Sequence, residues 1–167
     1  MDSYNVHIHE EIIEGEKELL FKALRNYKLD VVSIGKKRSV YKIIAKEGIF
    51  CLKRMKYGEH KVKNGYVLTE ELLNQGFNKV ATYILTVNQK LYVKISGYIF
   101  YMTTWIDGKE SNLNKISNAE EAARLLAEFH ISAGKINKQK LRLNDNYRKM
   151  QKSYIKKLED FEKYLRI

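Results

Sequence analysis

The hydrophobic period of this chain changes in a set order: helical, strand-like, helical, strand-like, and then helical to the end. Few folds accommodate that succession. In residues 15–27 the apolar side chains Leu19, Leu20, Ala23, Leu24 and Tyr27 recur at spacings of three and four, which predicts one buried helical face. Residues 31–34, 40–45 and 49–55 are short runs rich in β-branched and aromatic side chains. They are separated by Gly35-Lys36-Lys37-Arg38-Ser39 and by Lys46-Glu47-Gly48, a pattern that predicts a three-stranded antiparallel meander. A helix is expected over 59–75, stopped by Gly76. Two or three further strands then fall in 83–87, 91–95 and 98–104, joined by Asn88-Gln89 and Ser96-Gly97.

Beyond Asp107-Gly108 the pattern is helical only. Ser117-x-x-Glu120 reads as a capping box opening a helix whose apolar face is Ala122, Leu125, Leu126, Phe129 and Ala133. A last helix carries the stripe Tyr147, Met150, Tyr154, Leu158, Phe161 and Leu165 at the helical period. The expected class is α+β: a five- or six-stranded antiparallel sheet with one inserted helix, followed by helices. The expected division is 1–106 and 107–167.

Composition narrows what such a chain does. A single Cys excludes an internal disulfide or a cysteine-based metal cluster. His7-x-His9 with Glu10 and Glu11 lacks the further clustered ligands of a metal site, so no metal is expected. No run approaches the length of a membrane span and the first residues lack the pattern of a signal peptide, so no membrane partner and a cytoplasmic origin are expected. The net charge of +11 invites a nucleic-acid reading through Lys36, Lys37, Arg38 and the terminal helix. Residues 135–167 carry eleven basic and four acidic side chains, however. Interleaved Glu159, Asp160 and Glu162 make a solvated helical face the simpler account, and nucleic acid is not the expected partner.

Four stretches stand in a distinctive order: I-F-C-L-K-R at 49–54, a helix ending N-Q-G-F at 74–77, Y-I-F-Y-M-T-T-W-I-D-G-K-E at 98–110, and A-R-L-L-A-E-F-H-I-S-A at 123–133. Together they resemble the small lobe and first large-lobe helix of aminoglycoside and choline kinase-like enzymes, and most of all the spore-coat CotS-type proteins. The resemblance implies that Lys53 reaches the phosphates of ATP or another nucleotide, as the third-strand lysine does in kinase folds. Cys51, two residues earlier on the same strand face, would lie against the base. Without that context Lys53 reads simply as a solubilising strand lysine.

The same resemblance places a glutamate of the following helix beside Lys53. Both Glu70 and Glu71 have plausible spacing, with Glu70 the preferred of the two. It makes 35–39, through Gly35 and Ser39, the phosphate-covering turn, although one glycine and a basic triplet also describe an ordinary charged hairpin. It assigns Thr104, Trp105 and Ile106 to the segment whose backbone pairs with adenine. His130, beside Phe129, reads as structural.

Kinase-like catalysis further requires an H-x-D…N loop and a second, metal-binding Asp. None of His7, His9, His60 and His130 is followed two residues later by Asp. The sequence is therefore expected to hold the N-terminal portion of the fold, to bind nucleotide weakly without metal, and to have no catalytic residue. Its expected partners are spore-coat proteins, the C-terminal lobe of the fold, or a second copy through residues 145–167, with deposition in the spore coat.

Overall fold

The computed structural model describes residues 6–8, 12–108, 111–112, 114–137 and 156. The expected final helix, residues 145–167, lies outside them apart from Lys156. The chain divides into compact units of residues 1–136 and 137–167.

The order is β1 (His7–Ile8), α1 (Glu14–Leu24), β2 (Val31–Lys37), β3 (Val40–Ala45), β4 (Gly48–Met55), α2 (Glu59–Asn74), β5 (Tyr83–Ile84), β6 (Val93–Ile95), β7 (Tyr98–Thr104) and α3 (Ile116–Gly134). The strands form one seven-stranded sheet, β1-β2-β3-β4-β7-β5, with β6 also paired to β7. This is the expected α+β arrangement with α2 inserted before the last strands. It has one strand more than expected, because two-residue β1 pairs parallel to β2 through His7 and Ile8 and is too short to show a period.

Antiparallel register divides the sheet into two faces. Ile34, Tyr41, Ile43, Phe50, Leu52, Phe100 and Met102 are buried on one face together with Leu20, Ala23 and Leu24 of α1. Burying each large aliphatic or aromatic side chain there is worth about 1.5–3 kcal/mol, which is why an 11-residue helix with no side-chain N-cap holds its place. The other face carries Gly35, Lys37, Val40, Lys42, Cys51, Lys53, Tyr101 and Thr103, and α2 reaches it through Tyr66.

Local chemistry explains the turns. Ser96 and Gly97 both adopt positive φ, the backbone a two-residue hairpin needs. Gly76, at φ +80°, ends α2 as a left-handed C-terminal glycine. Two expectations fail here. The β2–β3 turn is Arg38-Ser39 with Arg38 at φ +53°, while Gly35 lies inside β2, because the strand continues through Lys36 and Lys37. Nor is Ser117 a cap: α3 begins at Ile116 after Lys115, and Ser117 sits within its first turn.

Candidate functional site

The open face of the central strands gathers most of the residues singled out from the sequence. Lys53 pairs with Val40 on one side and Tyr101 on the other, and Cys51 pairs with Lys42 and Thr103. The two-residue period therefore sets Cys51 and Lys53 side by side on the face that also bears Tyr101 and Thr103 of β7. The Arg38-Ser39 turn stands at the Lys53 end, because Val40, the first residue after it, is the cross-strand neighbour of Lys53. Trp105 stands at the opposite end, its backbone N–H donating to the Ile49 carbonyl at 3.0 Å.

The surroundings of Lys53 differ from expectation. Its ammonium lies 5.6 Å from the centroid of the Tyr101 ring, within cation–π range. Glu70 is exposed and, among the described residues, forms no ion pair with it. The helix period accounts for this. Val62, Thr69 and Leu72 are the buried residues of α2, and Glu70 is turned about 100° from Thr69, toward solvent. Glu71 is only partly buried.

Aromatic rings fill the space between α2 and the lysine. Tyr83 stacks on Tyr101 at 5.8 Å between centroids, and Tyr66 of α2 meets Tyr83 edge-on at 5.7 Å. A Cβ at Gly65 would collide with the Tyr83 hydroxyl, so only glycine lets the phenol lie against the helix. Burial pushes the Tyr83 phenol up to about 12, with its neighbour Tyr101 adding to the effect.

Cys51 and Thr103 form the middle of the face. Burial pushes the Cys51 thiol above its ordinary value, opposed by the nearby Lys53 ammonium and the Thr103 hydroxyl. Thr103 is 2% exposed, and its Oγ1 has no hydrogen-bond partner of ordinary geometry.

In the exit segment, the Thr104 N–H donates to the Thr82 carbonyl at 2.8 Å and its Oγ1 accepts from the Thr82 N–H at 3.0 Å. The N–H groups of Thr104 and Trp105 are thus committed within the protein. Ile106 is 62% exposed, and among the described residues its backbone takes part in no backbone hydrogen bond. Of the three backbone N–H groups in the expected base-pairing segment, that of Ile106 is the one without a backbone partner among the described residues. His130 lies on exposed α3 with its ring 5.8 Å from Phe129, away from this face.

The sequence reading missed Lys42, Thr103 and the three tyrosines. For Lys42 a signal was present: it stands two residues after Val40 in the same strand and so shares a face with it. It also missed Glu16, which serves the opposite face. Glu16 is 9% exposed and accepts from Lys36 and Arg54, each at 3.0 Å. Although burial works against it, the bond and charge of Lys36, the charge of Arg54 and a Tyr41 hydrogen bond hold its carboxyl below the usual range. A concave surface of about 700 Å³ lies elsewhere, lined by Lys63, Thr86, Lys90, Tyr92 and Lys94, and none of the Lys53-face residues lines it.

The family described as "Spore coat putative kinase YutH" matches residues 22–166. The chain belongs to this family. Among solved structures it is similar to an aminoglycoside phosphotransferase from Alicyclobacillus acidocaldarius, with a TM-score of 0.63 and 19% identity over 68% of this chain and 34% of that one. It is also similar to the spectinomycin phosphotransferase APH(9)-Ia in two complexes. The AMP-bound form gives a TM-score of 0.56 at 11% identity, over 84% of this chain and 46% of that one. The form with ADP and spectinomycin gives 0.54 at 12% identity, over 83% and 46%. At these identities the likeness establishes the kinase-like phosphotransferase fold, and the chain spans less than half the length of each of these proteins.

Proposed function

We propose that the open face of the sheet is a weak nucleotide-binding surface in a spore-coat kinase-like protein, with Lys53 at the phosphate end and Ile106 at the base end. The observation that carries this reading is one cluster on one face. Lys53 and Cys51 stand side by side, the basic turn 37–39 borders the lysine, and the Thr103 hydroxyl lies between the two ends beside the Cys51 thiol. The residues fit a nucleotide: a cation for phosphate and an uncommitted exit backbone for the base. That two neighbours of the same fold are complexes with AMP and ADP supports the choice of ligand.

In this reading the residues here bind and do not turn over a substrate. The strand residues of this face include no carboxylate to share a magnesium ion with the phosphates, so Mg²⁺ adds little to affinity. The protein is made in the cytoplasm and acts in the spore coat, its partners being other coat proteins or the remaining lobe of the fold, with self-association through 145–167 as a further mode.

Calorimetric titration with ADP and ATP, with and without Mg²⁺, tests the reading. Weak binding that Lys53→Ala abolishes is expected. Submicromolar Mg²⁺-dependent ATP binding, or ATP turnover lost in Lys53→Ala, would overturn the non-catalytic part, and absence of any binding would overturn the whole.

A further inference from the structure

A second lysine stands on the same face, at the end where the base would lie. Lys42 pairs with Cys51 across β3 and β4 and with Gly35 across β2 and β3, so its side chain rises on the Cys51 side of the sheet. Its ammonium lies 5.0 Å from the centroid of the Trp105 ring. Trp105 follows β7, which is two strands away from β3, with β4 between them. Strands are about 4.8 Å apart, so the two side chains must meet over β4, which separates their strands by roughly 10 Å. Cys51, the cross-strand neighbour of Lys42 on this face, is 8% exposed.

We infer that Lys42 and Trp105 form a latch over the base end of this face, and that they determine whether it accepts a nucleoside or only a polyphosphate. This rests on the nucleotide reading above. A planar base resting on Cys51 would need the space the Lys42 stem fills, and binding must first separate the ammonium from the indole. A polyphosphate reaching Lys53 meets no such obstacle, since Lys53 lies two residues farther along β4 with Val40 and Tyr101 as its neighbours.

Charge supports the same division. On the opposite face Lys36 and Arg54 are both ion-paired to Glu16. On the open face Lys42 and Lys53 each rest on an aromatic ring and form no ion pair among the described residues, so an incoming anion displaces only the ring contact.

Trp105 is the only tryptophan, so its emission reports the latch directly. The experiment compares the full chain with Lys42→Val, which removes stem and charge, and with Lys42→Met, which keeps a long stem and removes only the charge. In the unliganded protein Lys42→Val should increase acrylamide quenching of Trp105; equal quenching would overturn the latch. ADP and tripolyphosphate are then titrated by calorimetry and fluorescence.

Opening an exposed cation–π contact corresponds to a factor of about two to five, so ADP should bind Lys42→Val that much more tightly than the unaltered chain. Lys42→Met should fall between them. Tripolyphosphate should gain nothing from either substitution and should leave Trp105 emission unchanged in the unaltered chain, whereas ADP should shift it. Equal or weaker ADP binding by Lys42→Val, with binding still measurable, would defeat the latch and leave the nucleotide reading standing. No ADP binding by any of the three proteins would defeat the nucleotide reading and this proposal with it.

Discussion

Removing the Glu16 carboxylate should loosen the attachment of α1 to the sheet by a measurable amount. The carboxyl joins three elements: its own helix, β2 through Lys36, and β4 through Arg54, with both contacts at 3.0 Å. A hydrogen bond to a charged group contributes about 1.5–3 kcal/mol when well shielded. The Lys36 and Arg54 side chains keep 33% and 28% of their exposure, and the group lies at the rim of the sheet, so screening reduces each contact by roughly half. Glu16→Gln should therefore cost about 2 kcal/mol, which for a domain of this size lowers Tm by roughly 6–10 °C.

The pH dependence has a defined sign. Because the folded carboxyl titrates below its ordinary value of 4.5, its contribution is complete above that value and disappears as pH falls through the folded one. Thermal unfolding followed by circular dichroism at pH 7 and near pH 3 is the assay. The gap between Glu16→Gln and the unaltered chain should be wide at neutral pH and close in acid. A shift below about 2 °C at pH 7, or a gap that does not narrow at all as pH falls below 4.5, would refute the claim that this carboxylate holds the helix.

Three further outcomes follow from the same packing. Gly65→Ala should destabilise by about 1–3 kcal/mol despite the roughly 1 kcal/mol that alanine gains in a helix, since the new methyl collides with the Tyr83 hydroxyl; an increase in Tm would show the phenol moves aside without cost. Thr103→Val removes a buried hydroxyl that lacks a partner, so the unliganded protein should be unchanged or up to about 1 kcal/mol more stable in denaturant unfolding, while ADP affinity falls. Tyr27→Phe should likewise be neutral to stabilising. Because burial raises the Tyr27 phenol above its ordinary 10.0, the unaltered chain should lose stability above about pH 10 more steeply than Tyr27→Phe, as alkaline thermal melts would show.

What the sequence disclosed and what it withheld separate along a physical line. Periods and turn residues are local, and they located β3, β7 and the end of α2 to within a residue: 40–45, 98–104 and Gly76. The shared face of Cys51 and Lys53 was likewise legible from the two-residue period alone. Contacts across the fold were not. Glu16 and Arg54 are 38 positions apart, and nothing near either reveals the other.

The choice of Glu70 failed for a related reason. Spacing from Lys53 fixes how far a helical residue can reach, but which side it faces depends on what the helix packs against, and Thr69 and Leu72 turned Glu70 outward. The same limit explains the two local errors. Arg38 accepts a left-handed backbone that residue statistics assign to glycine, and the capping box at Ser117 matched in pattern while the N-cap is Lys115, two residues earlier.

The two faces of the sheet also explain how one strand serves two purposes. In β4, Lys53 and Arg54 are adjacent in sequence and therefore point to opposite sides. Arg54 stacks on Tyr98 at 5.1 Å and is fixed by Glu16, so it belongs to the structure that anchors α1. Lys53, one residue away, rests on the Tyr101 ring and forms no ion pair among the described residues. A charge held by a buried carboxylate is costly to move, and a charge on an aromatic face is not. Exchanging the two demands would show it: Arg54→Met should lower Tm while leaving ADP affinity within about twofold, and Lys53→Met should do the reverse. If Lys53→Met lowered Tm as much as Arg54→Met, both cations would be structural. The open face would then lose the property that distinguishes it from the buried one.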